Sequence, residues 1–269
     1  MGPLGVGVYR WRARGVTLAT GGARVGGWHT GPATTFQTPM PRLRIAALAL
    51  LSLATGLAAA EPVRRVEIYV QPYYASPARP DGHPEVHVGD AFDTLLASNA
   101  RADILKVRDL VEAKPDFVSP MTLMVLAIRL YDVGLRDDAV FWFYVAKGRY
   151  ISLLGVVDED ALGGAPDAIR AFASLAGPVI NSYAFCDVDR QLAANDKAWQ
   201  WVAAHPYMTA FSPQLPAKAG DRAANLKKGV DGLQGMADKA RAQLSDPAFR
   251  KDFEARREAK GVPADYCWK

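Results

Sequence analysis

The sequence predicts an all-α domain of about seven helices, preceded by one short extended segment and a leader. Three observations carry this. Apolar residues recur at three- and four-residue intervals through most of the second half of the chain, helix caps and stops bracket those stretches, and the connections between them are short.

The elements follow in order. Val66, Ile68 and Val70 alternate with Glu67, Tyr69 and Gln71, a strand period ended by Pro72, with no partner strand evident. Ser76 to Gly89, rich in proline and glycine, reads as a loop. Asn99 is placed to cap a helix whose stripe is Ile104, Val107, Leu110 and Val111, stopped by Pro115. Ser119 before Pro120 is an N-cap with proline at the first helical position. The stripe that follows runs from Leu123 to Tyr131, and Gly134 supplies the stop. Asp137 and Asp138 open the next helix, with Lys147 and Arg149 toward its far end, an order that suits the helix dipole.

Pro166 starts a helix through Ile169, Phe172 and Leu175 that Gly177 and Pro178 interrupt. Asp187 to Ala204 is a further helix, ended by His205 and Pro206. Leu226, Val230, Leu233, Ala237, Ala240 and Leu244 are spaced 4, 3, 4, 3, 4, a heptad-like stripe expected to pack onto the body. Asp246 to Lys260 is a charged, exposed helix.

Charge and leader set the compartment. Residues 1–60 hold six arginines and no acidic residue; removing them from 32 basic and 28 acidic residues leaves 26 against 28. The basic pI of 9.0 therefore belongs to the leader, and nucleic acid is not an expected partner. From Met40 the string MPRLRIAALALLSLATGLAAAEP has a basic start, an apolar run and Ala58, Ala59 and Ala60 before Glu61, the layout of a secretory signal cleaved after Ala60. Its apolar run, Ile45 to Leu57, is shorter than the roughly 20 residues a membrane span needs, so no stable span is expected after cleavage. The boundaries implied are 1–39, a disordered extension read as an over-extended gene model; 40–60, the signal; 61–90, an extended segment and loop; and 91–269, the helical domain. The mature chain is expected in the periplasm or secreted.

The two cysteines, Cys186 and Cys267, lie beyond the signal, and an even count in an exported chain predicts one disulfide. It closes a loop of about 80 residues, for which chain entropy gives roughly 4.5 kcal/mol.

Residues 123–149, containing LAIRLYDVGLRDDAVFWFYVAK, resemble a tetratricopeptide-type helical hairpin: Ala127, Gly134, Ala139, Phe143 and Ala146 stand at that repeat's small and aromatic packing positions. The resemblance covers about a tenth of the chain and does not recur, whereas repeat arrays need about three units for a continuous core. It implies an interaction surface for a protein or peptide, and no chemistry.

Signals for chemistry are sparse. His83 and His87 stand four apart among Asp81, Glu85, Asp90 and Asp93, a weak candidate metal site, because Pro84 and Gly89 argue against the helix that would bring both imidazoles together. Acidic groups at Asp137/Asp138, Asp158/Glu159/Asp160 and Asp187/Asp189 are candidate acid–base pairs with structural uses at helix starts. No nucleophile elbow, zincin, Walker A or dinucleotide glycine pattern occurs, and no cofactor is expected. The run Phe141, Trp142, Phe143, Tyr144 sweeps most of a helix circumference, so it is either enclosed or borders an aromatic groove with Trp199 and Trp201. On the groove reading Trp142, Tyr144, Trp199 and Trp201 are the binding residues.

The expected function is an exported, non-catalytic helical protein that binds a protein or peptide of the cell envelope, such as an adaptor, inhibitor or immunity-type factor. The alternative is an envelope hydrolase using carboxylates or a His83/His87 metal site. Oligomeric state is not legible in the sequence.

Overall fold

In a computed structural model, the described residues are 61–268. The expectations for the extension and the signal lie outside them.

The alternation of Val66, Ile68 and Val70 with Glu67, Tyr69 and Gln71 is also an alternation of buried and exposed. The missing partner strand is close by in sequence. β1 (Tyr69–Val70) turns at a cis Gln71–Pro72 bond into β2 (Tyr74–Ala75), which pairs in turn with β3 (Glu85–Val86), all antiparallel. The segment read as a loop thus contributes a strand. β2 and β3 are two residues each, with no flanking alternation to announce them in the sequence.

α1 (Asp93–Ala97) and α2 (Arg101–Ala113) follow. Asn99 does not cap α2: the N-cap is Ala100, and the Asn99 amide instead donates to Gly82 O (2.9 Å) and accepts from Arg129 (2.8 Å). Ile104, Val107 and Val111 are buried, while Leu110 faces solvent.

α3 (Pro120–Asp132) begins as the residues dictate, with Ser119 Oγ accepting from Thr122 N at 3.1 Å. It stops at Gly134, whose φ of +82° a side chain would resist. α4 (Arg136–Val156) does not end near Arg149 as expected, but runs on to Val156. Gly148 is no stop. It lies against α6, where an added Cβ would sit 2.5 Å from Trp199 Cζ3.

α5 (Ala165–Ala184) carries Pro166 in its first turn, as expected, but is not interrupted at Gly177–Pro178. Pro178 and Ser174 both lie on its exposed side, so the carbonyl that loses its amide partner has access to water. α6 (Val188–Ala204) is capped by Asp187, and α7 (Arg222–Ser245) by Asp221. α8 (Pro247–Glu258) and α9 (Val262–Tyr266) complete the chain. Among the described residues there are nine helices rather than seven, the excess being the five-residue α1 and α9.

α4 is the axis of the fold and packs against α3, α5, α6 and α7. Ala127 on α3 and Ala139 and Ala146 on α4 are all fully enclosed, and α4 and α7 meet backbone to backbone where an added Cβ on Gly155 would lie 3.4 Å from Gly229 Cα. α7 lays Leu233, Ala237 and Leu244 onto this body, as its stripe predicts. The N-terminal segment docks on the end of α3. Val66 N donates to Asp132 Oδ1 (2.8 Å), and Arg129 bonds Asp132 Oδ2 (2.7 Å) and Leu96 O and Ser98 O of the α1–α2 connection.

Candidate binding surface

The four aromatic residues of α4 divide between core and boundary. Trp142, Phe143 and Tyr144 are enclosed, and only Phe141 is half-buried. Trp142 and Tyr144 are therefore not the surface anchors expected. The reason is geometric: helices pack on four sides of α4, so residues sweeping its circumference meet protein whichever way they point. The Tyr144 hydroxyl donates to Asn181 Oδ1 (3.1 Å) and accepts from Gln191 Nε2 (3.0 Å), and burial pushes its pKa up to about 12. Trp199 is buried over Gly148, leaving Trp201 as the one expected indole that reaches the boundary.

Trp201 sits in a ladder of rings. Its centroid is 5.3 Å from Trp142, edge to face, and 4.7 Å from His205, with Phe141 5.1 Å from Trp142 at the far end. Beneath it Arg149 is fully buried, not a charge at an exposed helix end, because α4 continues past it to Val156. The Arg149 guanidinium donates to Pro115 O (2.6 Å), Val118 O (2.9 Å) and His205 O (2.9 Å), and lies 4.9 Å from the Trp201 ring and 5.4 Å from the Tyr207 ring. Burial pulls its pKa down to about 10 against the weaker opposing pull of Tyr207 and Asp116. It holds two loops together, which are joined also by Met208 N donating to Asp116 O (2.9 Å). The tips of those loops expose Phe117 (74%) and Met208 (37%).

A second aromatic surface lies at the other end of the sequence. A groove of about 350 Å³ runs between the β1–β2 turn and the start of α5. Tyr69, Val70, Gln71, Pro72 and Tyr73 line one wall, and Gly164, Asp167, Ala168 and Ala171 the other. Tyr69 is 62% exposed at the rim, where its hydroxyl accepts from Gln71 Nε2. The signal in the sequence was YVQPYY, in which tyrosines bracket a Gln-Pro turn; alternation explained Tyr69 only as the polar side of a strand.

Most of the residue types that could carry chemistry serve the fold instead, and His87 adds only its backbone amide, donating to Tyr73 O (2.9 Å). His83 Nδ1 bonds Ala97 O (2.9 Å), and among the described residues no three His, Cys, Asp or Glu side chains gather as metal ligands. Asp137 accepts from Tyr183 Oη (2.8 Å), and Asp138 faces Arg108. Asp158 caps the short 3-10 turn that contains Asp160, and Glu159 pairs with Arg170. Asp187 caps α6, and Asp189 pairs with Arg250. The carboxyl that departs most from ordinary behaviour is Asp132, which burial pushes up to about 6 against the opposing pull of Arg129.

Cys186 and Cys267 are joined, with Cα atoms 5.4 Å apart, as the even count predicted. The bridge fastens α9 to the end of α5, and a cluster of cations and rings surrounds the junction. Arg136 stacks between Trp268 (3.8 Å) and Tyr183 (4.4 Å), and Arg64 covers Trp268 from elsewhere (4.7 Å).

Fold and surface together define a disulfide-fastened all-α protein with aromatic surface features. The chain is 36% identical over 228 residues to an uncharacterized protein of Haemophilus influenzae, covering 82% of this chain and 85% of that one, and it belongs to the same family. No family model and no solved structure matches it.

Proposed function

We propose that the protein is exported, to the periplasm or beyond the cell, and acts there as a non-catalytic helical module that binds another protein or peptide. Adaptor, inhibitor and immunity-type roles all fit this description. The observation that carries the binding reading is the Tyr69–Tyr73 groove. It sets exposed tyrosine beside proline and alanine on a backbone anchored at Val66, and tyrosine gives large contact area at little entropic cost. Export is supported by the signal-like string ending at Ala60 and by the disulfide; no helix among the described residues is long and apolar enough to cross a membrane.

A photo-crosslinking residue at position 69, expressed in cells, tests the binding reading. A discrete adduct should form there and not from position 254 on the charged α8. Equal labelling from both positions, or none from 69, refutes the groove. Mass spectrometry of the same preparation should find Glu61 at the N-terminus.

A further inference from the structure

Arg257 on α8 stands beside the disulfide, with the Phe253 ring 5.7 Å from its guanidinium. Its Nη2 lies 4.0 Å from Cys186 Sγ and 3.9 Å from Cys267 Sγ, and it donates to Ser182 O at 2.8 Å. Among the described residues no carboxylate pairs with it, its neighbours Arg250 and Arg256 taking Glu254 and Asp252, and burial depresses its pKa. Asp187, the neighbour of Cys186, directs its carboxylate to the Arg190 amide instead. A guanidinium within 4 Å of both sulfurs stabilises whichever leaves as thiolate, and thiolate stability governs how readily a disulfide exchanges. Both cysteines are partly exposed, so a small thiol has a route to the bond.

The bridge also controls more than its own two residues. Once Cys267 is fixed, Asp265 O accepts from Val63 N (2.9 Å), and Arg136 donates to Tyr266 O (3.4 Å) and Trp268 O (2.8 Å). Val63 O in turn accepts from the Tyr131 hydroxyl at 3.1 Å. Both ends of the described chain thus meet at one clasp, fastened by one covalent bond.

We propose that Cys186–Cys267 is a reversible exchange site for a dithiol, and that opening it unfastens the C-terminal segment from the N-terminal one. One thiolate of the dithiol attacks Cys267 Sγ, which sits on the short terminal segment; the new S–S bond forms as the old one breaks, and Cys186 leaves as a thiolate beside Arg257. The second thiol of the dithiol, deprotonated to solvent, attacks its own bound sulfur and expels Cys267 as a thiolate. The dithiol becomes a cyclic disulfide, two electrons pass to the protein, and the two cysteine sulfurs take up protons from water as the pH dictates.

The test is equilibration of the full oxidised chain with reduced and oxidised dithiothreitol at pH 8, with free thiols counted by alkylation. Wild type should open in native buffer faster than it unfolds globally. Because Arg257 stabilises the leaving thiolate, Arg257→Gln should need a roughly threefold more reducing ratio, and Arg257→Lys, which keeps a cation, should recover most of that. Hydrogen exchange at the Val63 amide should accelerate on reduction while the amides of α4 stay protected. A wild-type bridge that opens only as fast as the whole protein unfolds overturns the proposal, whatever the variants do. Identical ratios for wild type and Arg257→Gln overturn the role of Arg257, and an unchanged Val63 amide overturns the release.

Discussion

Replacing Gly148 by alanine should destabilise the protein even though alanine is the better helix former. The added methyl would lie 2.5 Å from Trp199 Cζ3, 2.8 Å from Cε3 and 3.1 Å from Val202 Cγ2. Carbon atoms in ordinary contact stand about 3.5–4 Å apart, so the indole or α6 itself must retreat by roughly 1 Å. Neither moves freely, since Trp199 is buried and Val202 behind it is almost fully so. Overpacking of this kind costs about 1–3 kcal/mol, against about 1 kcal/mol regained in helix propensity. The net expectation is a loss of about 1 kcal/mol, within a range of about 0–2 kcal/mol, or a fall in Tm of a few degrees for a chain this long. Gly232→Ala on α7 is the matched control: nothing lies within 4 Å of its would-be Cβ, the position is exposed, and the propensity gain should appear undiminished. Urea and thermal unfolding of both variants beside wild type measure the difference, expected to be about 2 kcal/mol between the two alanines. If Gly148→Ala equals Gly232→Ala in stability, the α4–α6 contact is not as close as described and the reasoning fails.

Two further outcomes concern the buried charges. Arg149→Met should cost about 3 kcal/mol, because Pro115 O, Val118 O and His205 O lose their donor together; Arg149→Lys should recover only part, and a loss below about 1 kcal/mol by urea titration contradicts the pinning role. Asp132 binds its proton more tightly folded (about 6) than unfolded (3.8), so its contribution to stability is present at low pH and is lost as pH rises through that window. That amounts to about 3 kcal/mol, so between pH 4 and pH 7 wild type should lose roughly that much more unfolding free energy than Asp132→Asn, and parallel profiles would contradict the assignment.

What the sequence by itself determined is what local chemistry decides. Ser119 with Pro120, Gly134, Asp187 and the stripe Leu233–Ala237–Leu244 each declare their structure through neighbours three or four residues away, and each stands where those neighbours place it. The all-α class and the pairing of Cys186 with Cys267 were legible for a similar reason, since composition, periodicity and a count of two leave few alternatives. The tertiary structure decided everything that depends on which surface is already taken. Arg149 reads as a helix-end charge until the loops at 115–118 and 205 close over it, and Trp142, Tyr144 and Trp199 read as groove-lining until helices cover α4 on four sides. Tyr69, at the edge of a two-residue strand, was left at the surface instead. Periodicity reports which side of an element is apolar, but exposure is a property of neighbours far apart in sequence, and only the packed chain brings them together.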